Sequence, residues 1–325
     1  MKNITVLAGG VGGARFIRGL LSELSYSDPR SSVTVIVNTG DDMTLNGLRI
    51  CPDLDTVMYT LGRGIDEEQG WGRAGETKRT SVEIAAYGAG WDWFTLGDLD
   101  LATHIVRTDL LRNGWTLSQA TASLARRWQP GVLILPMSDQ PIETHVRLTE
   151  DVDEHKAADL IHFEEWWVRY RAAVPASEFV QVGFETAHAA PGVLDAISNA
   201  DLVILTPSNP VVSIGTILNV PGVRGALQST AARVVGVSPI IGGAPVLGMA
   251  DECLNMIGLE TSALAVGLHY GARSSGGLID AWLVDETDED AVAPLEQSGI
   301  RARSVPLWMR DIETTRAMAA ETLAL

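Results

Sequence analysis

The first fifty-five residues place the tightest limits on what this chain can fold into. An apolar run from Ile4 to Ala8 leads straight into Gly9-Gly10-Val11-Gly12-Gly13-Ala14-Arg15, and a helical stretch from Phe16 to Leu24 and a second apolar run from Val33 to Val37 follow. Strand, glycine loop, helix and strand in that order open a parallel sheet, because parallel neighbours need a crossover helix between them. A glycine loop at a helix start presents bare backbone N–H groups to a phosphate. The next loop, Asn38-Thr39-Gly40-Asp41-Asp42, and then Pro52-Asp53-Leu54-Asp55-Thr56, offer carboxylates to a hard cation. A phosphate cradle beside a carboxylate cluster points to phosphoryl or nucleotidyl chemistry.

The alternation continues down the chain. Helices are expected over Thr56 to Leu61, with Asp55 as N-cap and Gly62 as stop, over Leu101 to Leu111 with Asp98 or Asp100 as N-cap, and over Leu117 to Trp128. Buried strands are expected at Val132 to Leu135, Leu202 to Thr206 and Val234 to Val237, each closed by a polar, proline-bearing loop. The last fifty residues return to this pattern, with Leu278 to Val284, Ala302 to Pro306 and a terminal helix from Ile312 to Leu323. Short apolar strands of this kind belong to an α/β fold with a Rossmann-like, doubly wound, mainly parallel sheet, whose ligands sit beyond the carboxyl ends of the strands. Residues 1–325 read as one such domain. The stretch 143–191 breaks the alternation and is too apolar for disorder, so it is expected to be an inserted smaller subdomain, with strands near Thr144 to Leu148, Leu160 to Phe163 and Phe179 to Val182.

A formal net charge of −17 excludes nucleic-acid binding, since no basic face is concentrated anywhere. No apolar run approaches the ~20 residues of a membrane helix, and no basic-then-apolar leader precedes the first strand, so neither a membrane span nor a signal peptide is expected. Cys51 and Cys253 stand far apart in no metal-ligand spacing, as free thiols of a cytoplasmic protein would.

A dinucleotide fingerprint would need a third glycine where Arg15 stands, and an ATP-type loop would continue Gly-Lys-Ser/Thr; the chain has neither. Gly9, Gly10, Gly12 and Gly13 are candidates for close backbone approach to a ligand, against the plainer reading of a tight turn. Asp41, Asp42, Asp53 and Asp55 taken singly are turn or cap residues; together they suit magnesium, which takes one or two carboxylates and leaves places for substrate phosphates. Thr103, His104 and Arg107 lie along one helix and are candidates to face a phosphate. Ser138, Asp139, Ser208 and Asn209 at strand ends are candidates to read a base or a phosphate, and Ser213 opens a possible second anion-binding turn; ordinary turn chemistry competes for all five. Trp166-Trp167 is core, interface or a stacking platform.

These blocks resemble the 2-phospho-L-lactate transferase family of coenzyme F420 biosynthesis, and within it the bacterial phosphoenolpyruvate transferase branch. The resemblance is carried by the glycine loop, by Asn38-Thr39-Gly40-Asp41-Asp42 and by Arg49-Ile50-Cys51-Pro52-Asp53-Leu54-Asp55-Thr56. It extends through Asp98-Leu99-Asp100-Leu101-Ala102-Thr103-His104, Glu143-Thr144-His145-Val146, Trp166-Trp167-Val168-Arg169-Tyr170-Arg171, Ser208-Asn209-Pro210-Val211-Val212-Ser213-Ile214-Gly215 and Val237-Ser238-Pro239-Ile240-Ile241. It implies an acceptor, the deazaflavin FO with a terminal hydroxyl, and a donor, a guanosine diphosphate ester of enolpyruvate or of lactate, with GMP released. It also implies a homodimer. Two departures stand out: Leu99 where the family usually has Arg, and Gly243-Ala244-Pro245-Val246-Leu247 where it often has basic residues.

The mechanism expected is in-line displacement assisted by magnesium on Asp41 and Asp55. Substrate contacts are expected from the four glycines, Asp42, Asp53, Asp98, Thr103, His104, Ser138, Asp139, Ser208, Asn209 and Ser213. The competing reading is a sugar-nucleotide-binding regulator of the same superfamily. The carboxylate cluster speaks against it, because a pure binder has no need of one.

Overall fold

Residues 1–91 and 93–325 are described by a computed structural model. In chain order the strands are β1 (Asn3–Ala8), β2 (Ser32–Val37), the hairpin β3 (Met43–Leu45) and β4 (Leu48–Ile50), β5 (Leu133–Pro136), β6 (Glu143–Leu148), β7 (Leu160–His162), β8 (Ala176–Val182), β9 (Leu202–Leu205), β10 (Arg233–Val237), the short hairpin β11 (Ile240–Ile241) and β12 (Ala244–Pro245), β13 (Ala281–Val284) and β14 (Arg301–Ser304). Seven of them form one sheet in the order β14-β13-β10-β9-β1-β2-β5. Every pairing in it is parallel. The chain winds outward from β1 to β2 and β5, then returns to lay β9 on the other side of β1. The switch point therefore lies between β1 and β9, where doubly wound sheets open a crevice.

Both faces of this sheet are apolar, and the period of two shows it. Val6 and Ala8 of β1, Val35 and Val37 of β2 and Ile204 of β9 pack into one core, with Phe16, Ile17 and Leu20 of α1 (Val11–Ser27). Leu7, Ile36, Val203 and Leu205, the intervening residues, pack into the other. Phe16, Ile17 and Leu20 are fully buried, each contributing about 1.5–3 kcal/mol through the hydrophobic effect.

α1 starts five residues before the expected Phe16, so Gly12 and Gly13 sit in its first turn, with Gly10 as N-cap and Gly9 before it. The first-turn N–H groups lack intrahelical partners in any helix, which leaves them to face the cavity described below. α2 (Pro52–Leu61) likewise starts early, with Cys51 as N-cap and proline at its first position. Asp55 is thus a first-turn residue and not the expected cap. Helix α3 (Arg79–Ala86) falls in a stretch for which the sequence suggested no element. α4 (Asp98–Arg112) has Gly97 as N-cap, not Asp98 or Asp100. α5 (Leu117–Trp128) matches its expected bounds and carries a capping box from Thr116 and Gln119. Strands β7-β6-β8 form a separate antiparallel sheet, packed through Val146, Ile161 and Trp166 against Val212 and Cys253. Among the described residues, no helix is long and apolar enough to cross a membrane.

Candidate active site

A cavity of about 860 Å³ opens beyond the carboxyl ends of the strands at the switch point. Gly10, Val11, Gly12 and Arg15 from the turn after β1 line it, with Asp41 from the loop after β2 and Pro207, Ser208 and Asn209 after β9. Asp53 and Asp55 of α2 and Asp100 and His104 of α4 form a second side. Trp71, Lys78, Trp93 and Phe94 come from the stretch around α3, and Phe163, Glu164 and Trp167 from the small sheet.

The carboxylates separate into two groups. Asn38 joins the first, its side-chain amide donating to Asp41 Oδ2 at 3.0 Å and to Asp53 Oδ2 at 2.9 Å. Asp41 Oδ1 is buried without a partner. Burial, with the charges of Asp53, Glu164 and Asp42, raises the Asp41 carboxyl well above the usual range. Burial also lifts Asp53 to about 6, against the hydrogen bond from Asn38. Asp42 does not line the cavity; it lies beneath, pushed up to about 7 by burial while Arg49 pulls it down.

The second group is a clamp. Arg107 Nη1 donates to Asp55 Oδ2 at 3.0 Å and Nη2 to Asp55 Oδ1, so both carboxylate oxygens are engaged. Arg107 is 1 % exposed. Its guanidinium charge is favoured in spite of burial, by Asp55 beside it. Arg107 is therefore a structural counter-ion and not a phosphate contact. It also sits 3.2 Å from His104 Nδ1. Since Arg107 has only protons to give, Nδ1 accepts, and Nε2 carries the ring proton. Nε2 lies 3.2 Å from Asp100 Oδ2, whose other oxygen accepts the Tyr59 hydroxyl at 2.7 Å.

Several expected contacts have other work. Ser138 is fully buried in a turn with Gln140, and Asp139 holds the start of α5 by accepting from Ser118 N at 2.6 Å. Asp98 accepts from the Thr77 backbone and hydroxyl. Thr103 is buried in the second turn of α4 and, like these three, does not line the cavity. Asn209 and Ser213 do line it, but Asn209 Oδ1 is taken by the backbone of Val211 and Val212. Ser208 Oγ accepts from Gly9 N at 3.0 Å, tying the glycine turn to β9.

The glycines face protein as much as ligand. A Cβ on Gly9 would stand 2.5 Å from Ser213 Oγ, and one on Gly13 would press on Ala8 and Ser208. A Cβ on Gly10 would stand 2.5 Å from Asp53 Oδ1, and one on Gly12 would stand 2.7 Å from the Pro207 carbonyl oxygen. Gly12→Val is therefore expected to push β1 and β9 apart at their ends. It should lower stability by about 1–3 kcal/mol, as overpacking does, and weaken ligand binding with it. A thermal midpoint equal to that of the unaltered protein would contradict this.

Arg15 and Lys78 are the arginine and lysine of the cavity among the described residues. Arg15 stood in the sequence as a fingerprint failure, and Lys78 lay in an unassigned stretch, so neither was seen as a site residue. Nor was Glu164. Leu99 does not line the cavity. Val246 and Leu247 do line it and give that rim an apolar surface.

Fold and cavity together define a doubly wound α/β protein with a crevice at its switch point, lined by the first turn of a helix and by carboxylates. Residues 4–323 match the 2-phospho-L-lactate transferase CofD family. The chain belongs to that family, and it is a transferase. It is 56 % identical over 322 residues to the phosphoenolpyruvate transferase of Kitasatospora aureofaciens, covering 99 % of this chain and 97 % of the other. It is 57 % identical over 326 residues to that of Thermobifida fusca, with 99 % and 97 % covered. It is 54 % identical over 327 residues to that of Mycolicibacterium smegmatis, with 99 % and 98 % covered. A solved UPF0052-family protein from Bacillus halodurans shares the fold, with a TM-score of 0.63 at 16 % identity over 99 % of this chain and 98 % of its own.

Proposed function

We propose that this chain transfers the phosphoenolpyruvyl group from a guanosine diphosphate ester to the terminal hydroxyl of FO, releasing GMP, in coenzyme F420 biosynthesis. Relatives called phosphoenolpyruvate transferases, at 54–57 % identity over nearly the whole chain, favour enolpyruvyl over lactyl as the group moved. The observation that carries the reading is one cavity lined by the first turn of α1, by Arg15 and Lys78, and by Asp41, whose Oδ1 is buried without a partner.

The residues suit a magnesium ion. Asp41 Oδ1 is a buried acceptor with no proton donor, which a cation would satisfy. Asp53, on the same Asn38 amide, is placed to share it. Asp55, the other expected ligand, joins only by loosening its clamp to Arg107. When bound, magnesium supplies positive charge against the diphosphate. The first-turn N–H groups of α1, with Arg15 and Lys78, bind and orient the same phosphates. Trp71, Trp93, Phe94 and Trp167 offer flat apolar surface to the acceptor's ring system and exclude water from the reacting groups.

Guanine is told from adenine only by groups that meet its O6 and N2. Asn209 and Ser238 spend their side chains on their own turns, so the backbone of these loops is left to read the base. Guanosine donors should outcompete adenosine donors by at least ~10²-fold in kcat/KM, because a mismatched base leaves buried polar groups unpaired. Equal rates in a direct competition, followed by mass spectrometry of GMP and AMP, would remove this role from the loops after β9 and β10.

A further inference from the structure

Six carboxyl-bearing residues line the cavity: Asp41, Asp53, Asp55, Glu68, Asp100 and Glu164. Asp55 is held by Arg107, Asp100 by Tyr59, and Asp41 and Asp53 by Asn38. Glu68 is exposed. Glu164 differs from all of them. Among the described residues, no hydrogen bond and no ion pair engages its carboxylate, and the residue is half-buried on the cavity wall. Unlike the sealed Asp41 Oδ1, its carboxylate is not closed off from the cavity, which leaves it free to meet a bound substrate.

Its backbone, by contrast, is fixed. Glu164 N donates to His162 Nδ1 at 3.1 Å, so that nitrogen is the acceptor and Nε2 carries the proton. Nε2 lies 3.3 Å from the Asp42 carbonyl oxygen. One imidazole thus ties Glu164 to the acidic loop across the gap between the small sheet and the main one. Thr144 N donates to the Gly40 carbonyl at 2.6 Å and makes the second tie. Glu164 is held in register with Asp41, but it stands on a wall built by Phe163 and Trp167.

In the reaction proposed above, Asp41 and Asp53 take the cation, and the first turn of α1 with Arg15 and Lys78 takes the diphosphate. The acceptor's hydroxyl is the reacting group to which none of these residues has been assigned, and Glu164 is the half-buried cavity carboxylate left without a partner. Resting on the reaction proposed above, we propose that Glu164 is a catalytic residue of the transfer, accepting the hydrogen bond and then the proton of the acceptor's hydroxyl. The hydroxyl oxygen forms a bond to the phosphorus that bears the enolpyruvyl ester. The bond from that phosphorus to the oxygen bridging to GMP breaks, and its electron pair leaves with GMP. The proton passes to Glu164 and from there to water.

The test compares the full chain with Glu164→Gln and Glu164→Asp, mixing FO and the enolpyruvyl guanosine diphosphate ester over a range of magnesium concentrations and following GMP by mass spectrometry. Glu164→Gln keeps the volume and removes the base. Its kcat should fall ~10²- to 10⁴-fold, the usual worth of a general base. KM for both substrates should stay within about threefold, since this contact acts in the transition state. The magnesium concentration for half-maximal rate should not change. Glu164→Asp should recover part of the lost kcat; if Gln fails to fold, a lowered kcat at unchanged KM in the Asp variant carries the same conclusion. Full kcat in Glu164→Gln overturns the proposal, and so does a loss that added magnesium restores, which would make Glu164 a metal ligand. If the unaltered protein itself makes no GMP, the reaction proposed above falls too; if it makes GMP and Glu164→Gln equals it, only the role of Glu164 falls.

Discussion

Asp41→Asn should lose at least ~10²-fold in turnover while remaining as stable as the unaltered protein, or becoming more so. The loss follows from metal charge stabilisation, worth several kcal/mol, with each 1.4 kcal/mol a factor of ten. The stability follows from the direction of its titration. Burial and three neighbouring carboxylates raise Asp41 above its unfolded value. The native state therefore binds that proton more tightly than the unfolded chain does. Stability contributed this way is present at low pH and declines as pH rises past the unfolded carboxylate value. Asparagine stays neutral and escapes the decline, so in metal-free buffer near pH 8 its thermal midpoint should not be lower. Asp53→Asn should resemble it in activity, if both residues share the cation. Full turnover in Asp41→Asn, or a collapse of its fold, would move the reacting centre away from this loop.

Arg107→Met should do the opposite, damaging the fold first. Arg107 is clasped by both oxygens of Asp55 with neither exposed by more than a few per cent. Removing one partner of a buried pair leaves the other charge uncompensated, at a cost of about 3–5 kcal/mol. Adding Asp55→Asn removes that charge and should recover much of the loss in urea unfolding. Equal midpoints for the single and double variants would mean the pair is not what holds α2 to α4. Because Arg107 also fixes the acceptor nitrogen of His104, activity should fall in the single variant beyond the effect of instability.

The fold was legible in the chain because both faces of its sheet are buried. Leu202 to Leu205 is apolar throughout and Val33 to Val37 is apolar but for Thr34, and each ends in a polar loop. Helix starts were less legible. Glycines at positions 12 and 13 look like loop, yet they sit in the first turn of α1, because there the neighbouring loops press too close for a side chain. Proline at 52 was a start signal for α2 that the more familiar cap at Asp55 concealed.

The site was legible where its residues are neighbours in sequence. Asp41, Asp53, Asp55, His104, Ser208, Asn209 and Ser213 all reach the cavity. Sequence spacing did not reveal how they pair: Asp53 and Asp55 are two residues apart, yet one shares Asn38 with Asp41 and the other binds Arg107. Ser138 and Asp139 stand at a strand end of the same edge, but β5 is the outermost strand and its loop holds α5 instead. Lys78 and Glu164 enter from segments folded in from a distance, with no local pattern to mark them.

The most direct test of the reaction itself is a product count. The purified protein is incubated with FO, the enolpyruvyl guanosine diphosphate ester and magnesium, and GMP and the FO phosphodiester are quantified together by mass spectrometry. Equal amounts of the two, appearing only when all three additions are present, are the expected result. GMP released at the same rate without FO, or FO left unmodified while the donor disappears, would contradict transfer to the deazaflavin hydroxyl.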